Sequence, residues 1–192
     1  MGGSAMPAKR SRIVDSDNYR RHWLSCFRLE PLDPERFDAR GRHADFGGGV
    51  SVSCLSFGGP VEIEMQPLLT TYLVVLPTRG EVRISSGGSD ALASPERAVV
   101  VDPADPHWQA WAANTDVLFV HLAAEGVCAA AGTRADAPPR LPGELDVRTD
   151  PGRGWRRVLE ALVTSPDTGT SGADSDLTTK LVLDLASCQL GR

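Results

Sequence analysis

The residue types that most often bind metals or transfer protons are sparse in this sequence. The four histidines are His22, His43, His107 and His121, and no pair among them is spaced as HxH, HxxH or HExxH. A protein metal centre needs three or four well-placed ligands. His107 and His121 can converge from separate strands, but an exposed or internally bonded histidine fits each position better. We therefore predict no metal, and no other cofactor.

Nucleophilic and phosphate-binding motifs are missing as well. The sequence contains no GxSxG turn, and its many glycines form neither GxGxxG nor GxxxxGK[ST]. Glu62 and Glu64 share one face of an alternating strand and resemble an acid/base pair. That face is the polar one, however, so solvated carboxylates are the better interpretation. The sequence indicates no catalytic centre.

A cluster of aromatic and polar residues instead suggests small-molecule recognition. Pro106 to Trp111 reads PHWQAW, and strand alternation turns Trp108 to one side and His107, Gln109 and Trp111 to the other. Such residues combine apolar bodies with polar groups, as ligand sites do. An aromatic core with one exposed indole is an equally good explanation. Candidate ligand-binding residues on this strand and its expected neighbours are Tyr72, Arg83, His107, Trp108 and Trp111.

The surrounding pattern predicts the β elements that hold these residues. Between Val50 and Leu122, short runs of Val, Ile and Leu alternate with Gly, Pro, Ser and Asp. This spacing is typical of an antiparallel sandwich or small barrel. Val61–Gln66 alternates cleanly, whereas 72–76 is apolar on both faces, which predicts a strand covered by a helix on one side.

Two helices are predicted after the strands. Trp155–Val163 carries one apolar stripe, and Asp150-Pro151 is a favourable start for it. Asp176–Leu190 is apolar on two opposed faces. One face comprises Leu177, Leu181, Leu185 and Cys188, and the other comprises Leu183, Ala186 and Leu190. Since the β domain covers a single face, we predict a homodimer through the second. The alternative is a helix packed between the β domain and 155–163.

Composition limits the choice of partners. Residues 1–42 carry nine Lys or Arg against six Asp or Glu, while residues 43–192 carry eleven against nineteen. An acidic domain is a poor binder of nucleic acid. The four cysteines lack paired spacing, and no secretory or membrane-spanning run is visible, so a reducing cytoplasm is expected. We predict a disordered arm or an expression-derived tail at 1–14, a β domain at 15–145 and a helical dimerisation element at 146–192.

The order of several motifs resembles a known family. The runs 72–84 and 93–103, the triplet Pro106-His107-Trp108 and the helical run 154–163 follow one another as in the N-terminal cupin-like domain of AraC/XylS-type transcriptional regulators. The resemblance extends from Ser25 to Leu190. It implies a mainly β fold: a cupin-like antiparallel β-barrel of the jelly-roll type, followed by two C-terminal α-helices.

The resemblance also implies a function. Domains of this kind sense a small-molecule effector or mediate dimerisation, and they look like metal-free cupins. DNA is then bound through a C-terminal helix-turn-helix domain, and we expect the chain to be a fragment that ends, at Arg192, where that domain begins. The alternatives are a metal-free cupin-fold enzyme and a ligand-free oligomerisation module.

Overall fold

The fold is seen in a computed structural model that describes residues 12–14 (backbone only), 27–133, 139–141, 143–164, 180 and 182. Twelve strands and two helices lie within these residues. The strands are β1 (Arg12–Val14), β2 (Phe27–Pro31), β3 (Arg40–Asp45), β4 (Val50–Ser56), β5 (Val61–Met65), β6 (Thr71–Arg79), β7 (Val82–Ser86), β8 (Ser89–Ala93), β9 (Arg97–Val101), β10 (His107–Trp111), β11 (Asp116–Ala123) and β12 (Glu144–Asp146). The helices are α1 (Ala124–Ala131) and α2 (Asp150–Thr164).

The strands form two antiparallel sheets. The larger has seven strands in the order β1-β3-β4-β11-β6-β9-β12, and the smaller has five in the order β2-β5-β10-β7-β8. Consecutive strands repeatedly cross from one sheet to the other, as in a jelly roll. The predicted mainly β fold is confirmed. The predicted closure into a barrel is not, because the two sheets stay open at their edges and form a sandwich.

Three layers result from this arrangement. Leu73 and Val75 of β6 point into the core between the sheets, while Tyr72, Val74 and Leu76 point to the outer side of the seven-stranded sheet. There they pack with α2. The prediction of a doubly buried strand covered by a helix is therefore confirmed for β6, whose residues from Tyr72 to Leu76 are all completely buried.

Helix α2 covers the larger sheet through one stripe. Trp155, Leu159 and Val163, at i, i+4 and i+8, are buried against it. The hydroxyl of Thr149 accepts a hydrogen bond from the backbone N–H of Gly152 at 3.1 Å and so caps the first turn. Arg156 fixes the helix laterally by donating to the carbonyl oxygens of Pro95 at 2.8 Å and Thr78 at 3.4 Å.

Some secondary-structure elements lie inside or across the segments that the sequence predicted. β1 lies within the segment predicted to be disordered and pairs with β3. β12 crosses the predicted boundary at 145/146 and pairs with β9. Of the predicted helix Asp176–Leu190, only the helical positions 180 and 182 are described. Val182 is buried with Trp155 and Leu159. It belongs to neither predicted apolar stripe, so its burial does not decide which stripe faces the core.

No helix among the described residues is long and apolar enough to span a bilayer.

Candidate functional site

The inner face of β10 carries the first group of candidate residues. His107, Gln109 and Trp111 point between the sheets, and half-buried Trp108 points outward, so the predicted alternation is correct. Trp111 packs edge-on against Phe57, at 4.9 Å between ring centroids, and against Phe119 at 5.7 Å. These contacts fill the middle of the core. Trp111 therefore has the environment of an aromatic core residue.

Tyr72 lies on the other side of the larger sheet. Its ring belongs to the cluster beneath α2, and its hydroxyl donates to the carbonyl oxygen of Pro139 at 2.5 Å. Burial and, to a smaller extent, the charge of Asp102 raise the pKa of Tyr72 to about 12. The phenol is therefore neutral at physiological pH and ties the 139–141 segment to the start of β6.

Arg83 and Trp108 occupy a third place, the outer face of the five-stranded sheet. Arg83 is exposed beside Ala110 and Leu92, and Trp108 lies between Glu64 and Ser85. The five predicted ligand-binding residues thus lie in three separate surroundings. His107 and Trp111 share the inner face of β10, Arg83 and Trp108 share the outer face of the smaller sheet, and Tyr72 lies apart from both pairs. The structure brings Tyr72 together with neither indole, because the strands turn these side chains to different sides of their sheets. The part of these residues in ligand binding stays a prediction.

A cavity opens where the two sheets separate. This edge cavity has a volume of about 220 Å³. It lies at the ends of β7 and β9, beside the β7–β8 turn, with the 139–143 region on one side. Its walls combine apolar strand residues with polar residues from turns. They comprise Tyr72, Ile84, Ser86, Gly87, Ser89, Ala91, Val99, Val100, Asp102, Asp105, Arg140, Leu141 and Gly143.

One polar atom in the lining of the edge cavity lacks a partner. The hydroxyl oxygen of Ser86 is buried and has no hydrogen-bond partner in the described part of the chain. Ser86 is the cross-strand neighbour of His107 on the same inner face. Burial lowers the pKa of His107 to about 4, opposed in part by the backbone of Asp105. At neutral pH the ring is therefore an uncharged donor and acceptor.

A second cavity, of about 290 Å³, lies beside the end of β11. It is lined by Asp45, Gly49, Val50, Ser51, Thr71, His121 and Ala123. Burial, and secondarily the nearby His43, lower the pKa of His121 to about 4. The Nδ1 atom of His43 lies 2.8 Å from the hydroxyl of Ser53. Despite these histidines, the described residues contain no group of three His, Cys, Asp or Glu side chains able to hold a metal ion.

Sequence patterns did not identify most of the edge cavity. Ser86, Asp102, Asp105 and Arg140 were not among the candidate residues, because they lie at strand ends or between strands, where no repeating pattern marks a site. The turn 86–90 was the available indication, because it places two glycines and polar side chains beside the inward-facing candidate strand.

A family profile matches most of the chain. The family profile of the AraC-binding-like domain matches residues 20–190. The probable thc operon regulatory protein of Rhodococcus erythropolis is 29% identical over 160 residues, which are 79% of this chain and 46% of that protein. The chain thus spans about half the length of that curated relative.

The fold has a solved counterpart. The crystal structure of the AraC-like transcriptional activator CuxR superposes with a TM-score of 0.72 at 10% sequence identity, covering 95% of this chain and 69% of that one. At this identity the likeness concerns the fold. It includes nearly the whole chain, so the arrangement of two sheets with helices is shared as a unit.

Proposed function

Because this chain belongs to the family of AraC-binding-like domains, we propose that it is the effector-sensing and dimerisation domain of an AraC-type transcriptional regulator acting in the cytoplasm. The edge cavity carries the sensing part of this proposal. It is an opening in a fold whose central core is filled by Trp111 and its aromatic neighbours. Its lining includes Ser86, whose buried hydroxyl has no hydrogen-bond partner among the described residues.

The chemistry of the cavity supports binding without reaction. Its titratable residues are Tyr72, held neutral, the carboxylates of Asp102 and Asp105, and Arg140. None of its lining side chains is a cysteine or histidine, and Ser86 has no base within hydrogen-bond distance among the described residues. A hydroxyl with no adjacent base is a weak nucleophile. We therefore propose a sensor and not an enzyme.

Contact with DNA is assigned to a separate helix-turn-helix domain. The described β domain has an acidic composition, with eleven Lys or Arg against nineteen Asp or Glu in residues 43–192. Phosphate binding needs clustered cations. The chain matches 46% of the curated regulator, so that protein is long enough to contain such a domain as well. Dimerisation through Leu183, Ala186 and Leu190 would bring two of these domains together on adjacent half-sites.

A ligand-free oligomerisation module is the second candidate. The observation that favours it is the aromatic packing in the centre of the sandwich, where Trp111 lies edge-on against Phe57 and Phe119. The two functions differ in whether the edge cavity has an occupant.

One experiment separates them. The chain is fused to a DNA-binding domain that binds its operator only as a dimer, and reporter output is measured with and without a mixed-charge compound library. Sensing predicts that some compounds change the output and that Ala91→Leu, which fills the edge cavity, abolishes the response. Ala110→Leu adds the same volume on the outer face of the smaller sheet and should respond normally. Dimer-dependent output that no compound changes would favour the module, and no output at all would contradict both.

A further inference from the structure

We infer that the edge cavity selects a small organic ammonium ion, with an apolar body inside the cavity and its charge at the Asp102–Asp105 turn. This inference rests on the proposed sensing function and adds the chemical class of its ligand. It depends on the size of the cavity, its apolar walls, the balance of charges around it and the way the backbone holds those charges.

Size and wall chemistry define the body of the ligand. Sites for drug-sized molecules have volumes of ~300–1,000 Å³, so a cavity of about 220 Å³ suits a fragment with a single ring or a short branched chain. Both sheets contribute apolar side chains to the walls, since Ile84 and Ala91 come from the smaller sheet and Val99 and Val100 from the larger. Leu141 adds a further apolar side chain.

The charges define the head group. Two carboxylates, Asp102 and Asp105, and one guanidinium, Arg140, line the cavity. Arg140 is exposed, whereas both aspartates are half-buried. The Asp102 carboxylate accepts a 3.0 Å hydrogen bond from the backbone N–H of Ala104, and the N–H of Asp105 donates to the Asp102 carbonyl at 3.2 Å. A compact turn therefore holds the anions in place, while the exposed Arg140 can remain in solvent.

A glycine allows Asp105 to reach the cavity. Gly87 has a φ of +57°, and a Cβ atom there would lie 2.6 Å from Oδ2 of Asp105. The carboxylate thus packs directly on the β7–β8 turn, in space that any side chain would occupy. Gly88, the next residue, has a φ of +79° but nothing within 4 Å of its Cβ position. Both glycines have a positive φ, but only Gly87 lies in contact with Asp105.

The Ser86 side chain adds a second requirement. Its hydroxyl is buried and has no partner in the described part of the chain, so a polar group of the ligand that reaches it would satisfy it. Because Ser86 precedes Gly87, on which the Asp105 carboxylate packs, a hydroxyl or carbonyl group close to the ammonium group of the ligand would bond to it. We therefore expect aryl or alkyl amines with such a group to bind more tightly than simple amines.

The test compares three probes that have a similar shape but differ in charge: a cation, a neutral molecule and an anion. Benzylamine, benzyl alcohol and benzoate are titrated into the purified chain at pH 7 and low salt by calorimetry. The expected order is benzylamine, then benzyl alcohol, then benzoate, with benzylamine at least about tenfold tighter than the alcohol. Raising the salt concentration should narrow this difference, since the carboxylates are only half-buried.

Variants locate the charge. Asp105→Asn should weaken benzylamine binding by about three- to tenfold and leave benzyl alcohol unaffected. Glu64→Gln removes one negative charge from the outer face of the smaller sheet and should change neither affinity. Gly87→Ala should reduce benzylamine binding as Asp105→Asn does, because it displaces the carboxylate. Gly88→Ala adds the same methyl group at a similar positive φ and should leave benzylamine binding unchanged.

The outcomes are distinguishable. The ammonium selectivity would be overturned if the three probes bound equally, if benzoate bound most tightly, or if benzylamine showed no saturable binding. This conclusion would stand even if the reporter fusion responded to another class of compound. A reporter fusion that responds to no compound, combined with selective benzylamine binding, would leave the site in place and contradict its sensing role.

Discussion

Trp111 and Gln109 are joined by a hydrogen bond in the centre of the sandwich. The indole Nε1 donates to Oε1 of Gln109 at 2.9 Å, and the Gln109 amide nitrogen lies 3.9 Å from the sulfur of Met65. Both side chains are at least 98% buried. The bond runs along a single strand, between residues two apart on one face, so it satisfies a buried indole without help from another strand.

Removing this acceptor should destabilise the fold. Gln109→Leu keeps the side chain's approximate volume but leaves the Trp111 N–H without a partner, which costs ~1–3 kcal/mol of unfolding free energy. Urea denaturation followed by tryptophan fluorescence measures the loss. Gln66→Leu, an exposed position at the end of β5, is the control and should differ little from wild type. A Gln109→Leu variant as stable as wild type would show that the bond contributes nothing.

Stability should fall between pH 6.5 and pH 4. Burial lowers the folded-state pKa of His107 and of His121 to about 4, below the ordinary value of 6.5. In that interval the unfolded chain binds more protons than the folded one, so the unfolding free energy decreases as the pH decreases. Each histidine contributes a slope of up to ~1.4 kcal/mol per pH unit, and the contribution of each is fully present above pH 6.5.

The His107 contribution can be isolated by substitution. His107→Leu removes the titrating ring, and the unfolding free energy of this variant should depend less steeply on pH than that of wild type between pH 6.5 and 4. The comparison uses the slopes, because the substitution also changes packing at every pH. Parallel curves for the two proteins would mean that His107 titrates alike in the folded and unfolded states.

Arg156 should hold α2 on the larger sheet. Arg156→Ala removes its hydrogen bonds to the Pro95 and Thr78 carbonyls and its pair with Glu160, at 2.8 Å. We expect a loss of ~1–2 kcal/mol, since charged hydrogen bonds to partly buried acceptors exceed surface ion pairs in strength. The neighbouring Arg157 is exposed, so Arg157→Ala is a control with the same change in charge and helix propensity. Equal denaturation midpoints for the two variants would refute this role.

The proposed dimer should depend on one face of the C-terminal segment. Leu183→Glu places a charge in the predicted apolar contact and should convert a dimer to a monomer in sedimentation velocity at roughly tens of micromolar protein. Lys180→Glu introduces the same residue at an exposed position of the same predicted helix and should remain dimeric. A wild-type chain that sediments as a monomer at this concentration would contradict the proposal directly.

The alternation of apolar and polar residues predicted which strand residues are buried, but it did not predict the position of the candidate ligand-binding residues. Val61, Ile63 and Met65 are buried while Glu64 is exposed, as the alternation required. In β6 every residue from Tyr72 to Leu76 is apolar, so apolar and polar residues do not alternate. The side of the sheet to which Tyr72 points could therefore not be deduced. β12 was missed because a three-residue strand with a single apolar residue has no measurable period.

The edge cavity was beyond sequence reasoning for a different reason. Asp102 and Asp105 belong to one turn, Gly87 to another and Leu141 to a connector with several prolines. Their proximity depends on how strands from both sheets end at a common edge, which local patterns do not encode. The two glycines between β7 and β8 indicate a turn from the sequence alone, but the carboxylate packed on Gly87 comes from another part of the chain.

The polar lining of the edge cavity has a consequence for how its chemistry can vary. Ser86, Ser89, Asp102, Asp105 and Arg140 all lie at strand ends or between strands, outside the buried strand positions that stabilise the sandwich. Turn residues tolerate substitution far better than core residues do. Under the proposed sensing function, exchange of a few turn side chains would therefore change the chemical preference of the cavity and leave the buried framework of the sandwich intact.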